Sequence, residues 1–168
     1  MAAINVVIET DLGNMELSLD EERAPKTVAN FLRYVDAGHY DGTIFHRVIP
    51  GFMAQGGGYD ASYEKKPVSE PVENEADKTA KNKRGTVAMA RTNDPHSATA
   101  QFFVNVADNG FLDHTSKSGS GWGYTVFGEV TSGMDVADKI VAVKTGSQGP
   151  FAKDAPLTPV VIKTIRRR

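Results

Sequence analysis

Turn-forming residues cut this chain into short apolar runs, and that punctuation constrains its fold more than any other feature. Sixteen Gly and eight Pro among 168 residues fall between the runs, so many brief elements are expected rather than a few long ones. In Met15-Glu16-Leu17-Ser18-Leu19-Asp20 apolar and polar residues alternate strictly, the period of a half-buried strand. Ile4, Val6 and Ile8 share a face in the same way. Asp11-Leu12-Gly13-Asn14 lies between the two runs with turn chemistry, which predicts an opening hairpin. Further strands are predicted at Thr43–Ile49, Phe52–Gly56, Thr86–Ala90, Phe102–Val106, Val126–Val130 and Val160–Ile165, eight in all.

Two segments read as helices. Pro25 suits a first helical position, where its missing N–H costs nothing. Val28, Phe31, Leu32 and Val35 then form one apolar stripe, and Gly38 supplies a stop. A second helix is predicted over Met134–Val143, capped by Ser132, with Asp135 in its first turn and Gly146 past its end. Two helices cannot cover both faces of an open eight-stranded sheet. Closing the sheet into an antiparallel barrel removes its edges and leaves the helices to cap the ends. The expected class is therefore mainly β, as one domain over residues 1–168. The long non-periodic segment Gly57–Gly85 carries mixed charges and reads as a solvated loop with at most one helical turn.

Composition excludes several chemistries. The chain has no Cys, so disulfides, thiolate metal sites and Cys nucleophiles are out. A chain of this mass buries roughly 69% of its unfolded surface, enough for a core without staples. A net charge of −2 argues against broad capture of nucleic acid or anionic lipid, and no apolar run approaches the length of a membrane span. Met1–Asp11 lacks a basic start and is interrupted by Asn5 and Glu9, so it does not read as a signal peptide. A cytoplasmic monomer without metal or cofactor is the expectation.

Two stretches stand out as places for chemistry. Strand alternation puts Phe45, Arg47 and Ile49 on one face and Ile44, His46 and Val48 on the other. Arg47 is too costly to bury unpaired, so its face must border solvent or a groove. In Gln101–Val106, alternation sends Phe102, Val104 and Val106 to the core and Gln101, Phe103 and Asn105 outward. An outward Phe between two amides marks either a binding surface or a residue covered by a loop. Gly56-Gly57-Gly58 lacks the Lys and helix of a phosphate loop and reads as a tight turn. His39, His46, His96 and His114 show no metal-ligand spacing. No Gly-x-Ser-x-Gly elbow marks a nucleophile. Arg166-Arg167-Arg168 reads as a solvated tail.

The run Phe45-His46-Arg47-Val48-Ile49-Pro50-Gly51-Phe52-Met53-Ala54-Gln55-Gly56-Gly57 closely resembles the signature of cyclophilin-type peptidyl-prolyl cis–trans isomerases. Ala24–Phe31 is similar to that family's first helix. Gly85–Ala90 and Gln101-Phe102-Phe103 are similar to its central strands. Val126–Val130 with Gly133-Met134 is similar to its late strand and second helix. The resemblance covers nearly the whole chain, is strongest to the compact cytoplasmic bacterial members, and implies an eight-stranded antiparallel barrel.

The resemblance also implies roles. Arg47, Phe52 and Gln55 are implied to be catalytic. His46, Met53, Ala90, Arg91, Thr92, Gln101, Phe103, Phe111, Leu112 and Tyr124 are implied to bind substrate. Among them Phe52, Met53, Phe103 and Leu112 match the pocket for the proline ring, and Gln55 and Gln101 match groups that position the substrate backbone. Ala90 and Arg91 match strand-end residues whose main chain pairs with the peptide. Arg91 replaces an Asn usual in eukaryotic members, and Ala90–Gln101 is one residue longer than in them. Phe111 stands where those members carry a Trp, and Tyr124 where a His is common. Isomerase activity is expected to survive these changes and cyclosporin affinity to weaken. The implied partners are proline-containing peptides and client proteins, unfolded or folded. A proline-peptide binding module or chaperone with incidental turnover would use the same pocket. A barrel holding a small apolar ligand is disfavoured, because Phe, Val and Ile should fill so small a barrel.

Overall fold

The computed structural model describes residues 4–168; residues 1–3 of the Met1–Asp11 segment lie outside the described residues. Strands β1 (Ile4–Thr10) and β2 (Gly13–Leu19) form the predicted hairpin. Thr10 Oγ1 donates to Gly13 O and accepts from Leu12 N–H, which ties the turn. Helix α1 spans Pro25–Asp36. It closes with Gly38 N–H on Val35 O and His39 N–H on Tyr34 O, the paired C-terminal bonds that satisfy two orphan carbonyls.

Next come β3 (Arg47–Ile49), β4 (Met53–Gly56), β5 (Thr86–Met89), β6 (Phe102–Asn105) and β7 (Val126–Ser132). Helix α2 is Met134–Val141, followed by β8 (Thr145–Gln148), β9 (Phe151–Pro156) and β10 (Ile162–Arg167). Eight strands form one antiparallel sheet in the order β10-β1-β2-β7-β5-β6-β4-β3, and β8-β9 is a separate hairpin. The mainly-β class with two helices is thus as expected, but closure is weaker than a barrel implies. The two edge strands, β10 and β3, do not pair along their length. The residues just before each one meet instead, through the bridge Ile44–Val161 and the bonds Phe45 N–H to Val160 O and Ile162 N–H to Thr43 O. The sheet is curled, and a short splice joins its edges.

That splice explains a failed alternation. Residues 43–46 are not part of a regular ladder, so Phe45 does not share a face with Arg47. Phe45 is fully buried beside Phe102, whereas Arg47 is exposed. The core is filled by Met15, Leu17, Phe31, Tyr40, Phe45, Phe102, Phe127 and Ile140 among others, which leaves the interior packed rather than hollow.

Three local expectations are corrected. Ser132 does not cap α2, because it is the last residue of β7 and pairs with Glu16; Gly133 stands at the cap. The helix ends at Val141 with Ala142 as its C-cap, and Gly146 belongs to β8. Arg166–Arg168 is not a loose tail. Arg166 and Arg167 lie in β10 against β1, and the three arginines pair with Glu9, Asp36 and Glu16.

The 57–85 segment contains no helical turn, and its centre is buried. Glu75 (2% exposed) accepts hydrogen bonds from Thr27 N–H and Thr27 Oγ1, both at 2.8 Å, and from Lys26 N–H at 3.4 Å. These are first-turn groups of α1, which has no cap of its own and no acidic residue in its first turn. A carboxylate from 48 residues away supplies both the acceptor and the charge that a helix N-terminus favours.

Candidate active site

The site is built on the outer face of the sheet. Between β3 and β4, Ile49-Pro50-Gly51-Phe52 closes a turn with Phe52 N–H on Ile49 O, and Gly51 holds φ 73°. Pro then Gly at the two central positions is the chemistry of a type II turn. The register it fixes sets Arg47 opposite Gln55. Gln55 lies opposite Phe103, Phe103 opposite Ala88, and Ala88 opposite Val126. Residues directly opposite share a face, so Arg47, Gln55, Phe103, Ala88 and Val126 form one row across five strands. Met53, Ala90 and Tyr124, two residues along, fall on the same face.

This row carries a second apolar cluster, separate from the core. It comprises Met53, Ala88, Phe103 and Val126, with Ile49, Phe52, Ala80, Ala90, Leu112 and Tyr124 packed against it. A pocket of about 110 Å³ opens on it, lined by Arg47, Phe52, Met53, Gln55, Ala90, Arg91, Phe103, Leu112 and Tyr124. Phe103 is 4% exposed, so it forms the pocket floor rather than the exposed aromatic surface that alternation allows. Arg47 Cζ stands 6.0 Å from the Phe52 ring centroid. Gln55 Nε2 donates to Gln101 Oε1 at 3.0 Å. Phe111, on the short 3₁₀ turn Gly110–Leu112, is exposed and tilts over Phe52 with ring centroids 5.5 Å apart. On the far wall Arg91 Cζ lies 4.5 Å from the Tyr124 ring centroid.

Nine of the thirteen residues implied by resemblance therefore line one pocket. Gln101 joins them through Gln55, and Phe111 stands at the rim. Two do not belong. His46 is 4% exposed on the opposite side of the strand from Arg47, where it stacks on Phe151 and meets Tyr59 edge-on. Burial, and then the nearby Arg47 charge, push its pKa down to about 4, so it is neutral. Thr92 is exposed and its hydroxyl serves the 92–97 loop, donating to Ser97 Oγ and accepting from Asp94 N–H.

A set of asparagine amides lies beneath the pocket. Asn82 Nδ2 reaches Leu112 O and Tyr124 O, Asn109 Nδ2 reaches Phe52 O, and Asn105 links the two. Three pocket residues are thus fixed through their own carbonyls. Asn82 and Asn109 lie in loops and carry no periodic signal, whereas Asn105 ends β6 and is the one of the three that alternation picks out. A larger cleft of about 400 Å³ opens where the end of β2 and the turn after it meet β5 and β7, lined by Asp20, Glu21, Glu22 and Glu129 among others. It shares Ala80 and Val126 with the apolar cluster but contains none of the thirteen residues implied by the resemblance.

Comparison with known proteins agrees with this geometry. The family described as cyclophilin type peptidyl-prolyl cis-trans isomerase/CLD matches residues 5–167. The peptidyl-prolyl cis-trans isomerase cyp18 of Streptomyces antibioticus is 58% identical over 161 residues, covering 96% of each chain. Peptidyl-prolyl cis-trans isomerase B of Escherichia coli (strain K12) is 51% identical, covering 95% of this chain and 97% of its own. A Cryptosporidium parvum cyclophilin, solved in the presence of the dipeptide Ala-Pro, superposes with a TM-score of 0.77 at 24% identity, covering 98% of each chain. On the match across its whole sheet, the chain belongs to the cyclophilin-type peptidyl-prolyl cis–trans isomerases.

Proposed function

We propose that this isomerase works by electrostatic stabilisation of the twisted prolyl amide, with Arg47 as the catalytic cation. Rotation about a peptide bond meets a barrier of about 18–20 kcal/mol, because resonance gives C–N partial double-bond character. The two X–Pro isomers are nevertheless close in energy, so the catalyst needs only to favour the twisted state. In that state the prolyl nitrogen becomes pyramidal and regains a lone pair. A fixed cation donating toward it interacts more strongly there than in the planar ground state, which is the condition for catalysis.

The observation that carries this reading is the exposed Arg47 guanidinium beside a pocket floored by Phe103 and walled by Phe52, Met53 and Leu112. The apolar walls grip the proline ring and exclude water, which strengthens the field of Arg47. Gln55, already oriented by Gln101, holds the substrate carbonyl as it turns, and Ala90 and Arg91 offer main-chain groups to the peptide. The structural relative solved with Ala-Pro supports a proline-containing ligand. Clients on this reading are proline-containing chains, folded or unfolded, met by a monomer in the cytoplasm.

Exchange NMR on an X–Pro peptide tests the reading against a binding module with incidental turnover. Cross-peaks between cis and trans signals at catalytic amounts of protein are expected. Shifts or broadening without cross-peaks would make the chain a binder.

A further inference from the structure

Arg91 is held in place by three contacts. Its Nε donates to Gly123 O at 2.9 Å, its Nη1 donates to Thr92 O at 2.8 Å, and its Cζ stands 4.5 Å over Tyr124. A guanidinium carries five N–H donors, so three remain for a ligand. The planar group is pre-ordered, and a cation on an aromatic face pays little further entropy on binding.

The charge of this group is not compensated. Arg23, Arg84, Arg166, Arg167 and Arg168 each pair with a carboxylate, and Arg33 donates to Asn30. Among the described residues neither Arg47 nor Arg91 has an ion pair, and no Asp or Glu lines the pocket. The chain as a whole is net −2, yet the groove presents two guanidinium groups without a carboxylate partner. Arg47 lies on β3 and Arg91 just beyond β5, with β4 and β6 between. Both line the one pocket, and three residues of extended peptide span about 10 Å, so a side chain within three positions of the proline can reach Arg91.

We propose that Arg91 is a specificity-determining residue that selects X–Pro segments bearing an Asp or Glu within three residues of the proline. This rests on the isomerase reading of the groove and goes beyond it. Arg47 acts at the prolyl bond, and Arg91 reads a neighbouring side chain. A carboxylate offered there meets a fixed cation at a partly desolvated wall, while a Lys meets like charge.

The test compares kcat/KM for peptides that differ only by Asp, Asn or Lys, placed at each of the three positions on either side of proline. Wild-type protein is expected to favour Asp over Asn by about three- to tenfold at one position in low salt, with the ratio shrinking at high salt. Arg91→Met is expected to bring that ratio to about one, Arg91→Lys to keep part of it, and Arg91→Glu to favour the Lys peptide. The ratio is internal to each protein, so a general loss of activity does not imitate the effect. Wild-type ratios within twofold at every position, or a preference that survives in Arg91→Met, would overturn the proposal. Failure to isomerise even the Asn peptides would overturn the isomerase reading instead.

Discussion

Gln101 packs over the α-carbon of Gly58 and, from there, accepts the 3.0 Å hydrogen bond of Gln55. A Cβ on Gly58 would lie 2.6 Å from Gln101 Cδ, closer than real contacts allow. The Gly56-Gly57-Gly58 run, read in sequence only as a turn, therefore leaves room for a pocket amide. Gly58→Ala should push Gln101 out, free Gln55, and lower kcat/KM by about tenfold, the scale of one positioned hydrogen bond. Combining it with Gln101→Ala should restore most of the lost thermal stability but not the activity. Equal kcat/KM in Gly58→Ala and wild type would remove the Gln55–Gln101 pair from the mechanism.

Arg47 is exposed and unpaired, so its removal separates catalysis from folding. Arg47→Ala should lower kcat/KM by about 10²–10³, as for the loss of one preorganised electrostatic donor. Its stability should change by less than about 0.5 kcal/mol, the usual range for a surface substitution. Arg47→Lys keeps the charge but not the planar fork and should fall between. Near wild-type turnover in Arg47→Ala would exclude Arg47 as the catalytic cation.

Glu75 links the long 57–85 segment to the start of α1. Glu75→Ala would leave Thr27 N–H and Oγ1 buried without an acceptor. Hydrogen bonds to charged groups contribute about 1.5–3 kcal/mol, so a loss of about 2–4 kcal/mol in urea unfolding is expected. Glu75→Gln, which keeps an acceptor but not the charge, should lose about half as much. A change below about 0.5 kcal/mol in Glu75→Ala would show that α1 needs no remote cap.

What was legible in the sequence is what local periodicity controls. Pro25 and the stripe Val28–Val35 act within α1, and Gly38 acts just past its end. The pocket row Arg47–Gln55–Phe103 follows from period-two alternation once the strands pair. Long-range partners escaped. Nothing near Glu75 points to a helix 48 residues earlier. The β8-β9 hairpin, TGSQGPFAKDAP, shows no run of alternating apolar residues, and it packs through Phe151 on His46, whose own neighbours predict a strand face. His46 is instructive in another way. Its resemblance to the family signature placed it with the substrate-binding residues, while alternation placed it opposite Arg47. Alternation was the better guide to where the side chain goes.

His46 makes a final prediction about pH. Its Nδ1 is buried without a hydrogen-bond partner, and the ring is held among Tyr59 and Phe151. Burial first, then Arg47, lowers its pKa to about 4 from 6.5. The folded state thus resists a proton that the unfolded chain accepts below about pH 6.5. Where the unfolded state binds more protons, stability rises with pH. His46 therefore costs nothing above pH 6.5, and stability falls as pH drops from 6.5 toward 4. At about 1.4 kcal/mol per unit, the loss from pH 6.5 to 5 is about 2 kcal/mol. His46→Phe keeps the aromatic packing without the titration. Urea unfolding at pH 7 and pH 5 should show a smaller acid loss in His46→Phe than in wild type, by about 2 kcal/mol. Parallel losses in the two proteins would mean that His46 titrates alike in the folded and unfolded chains.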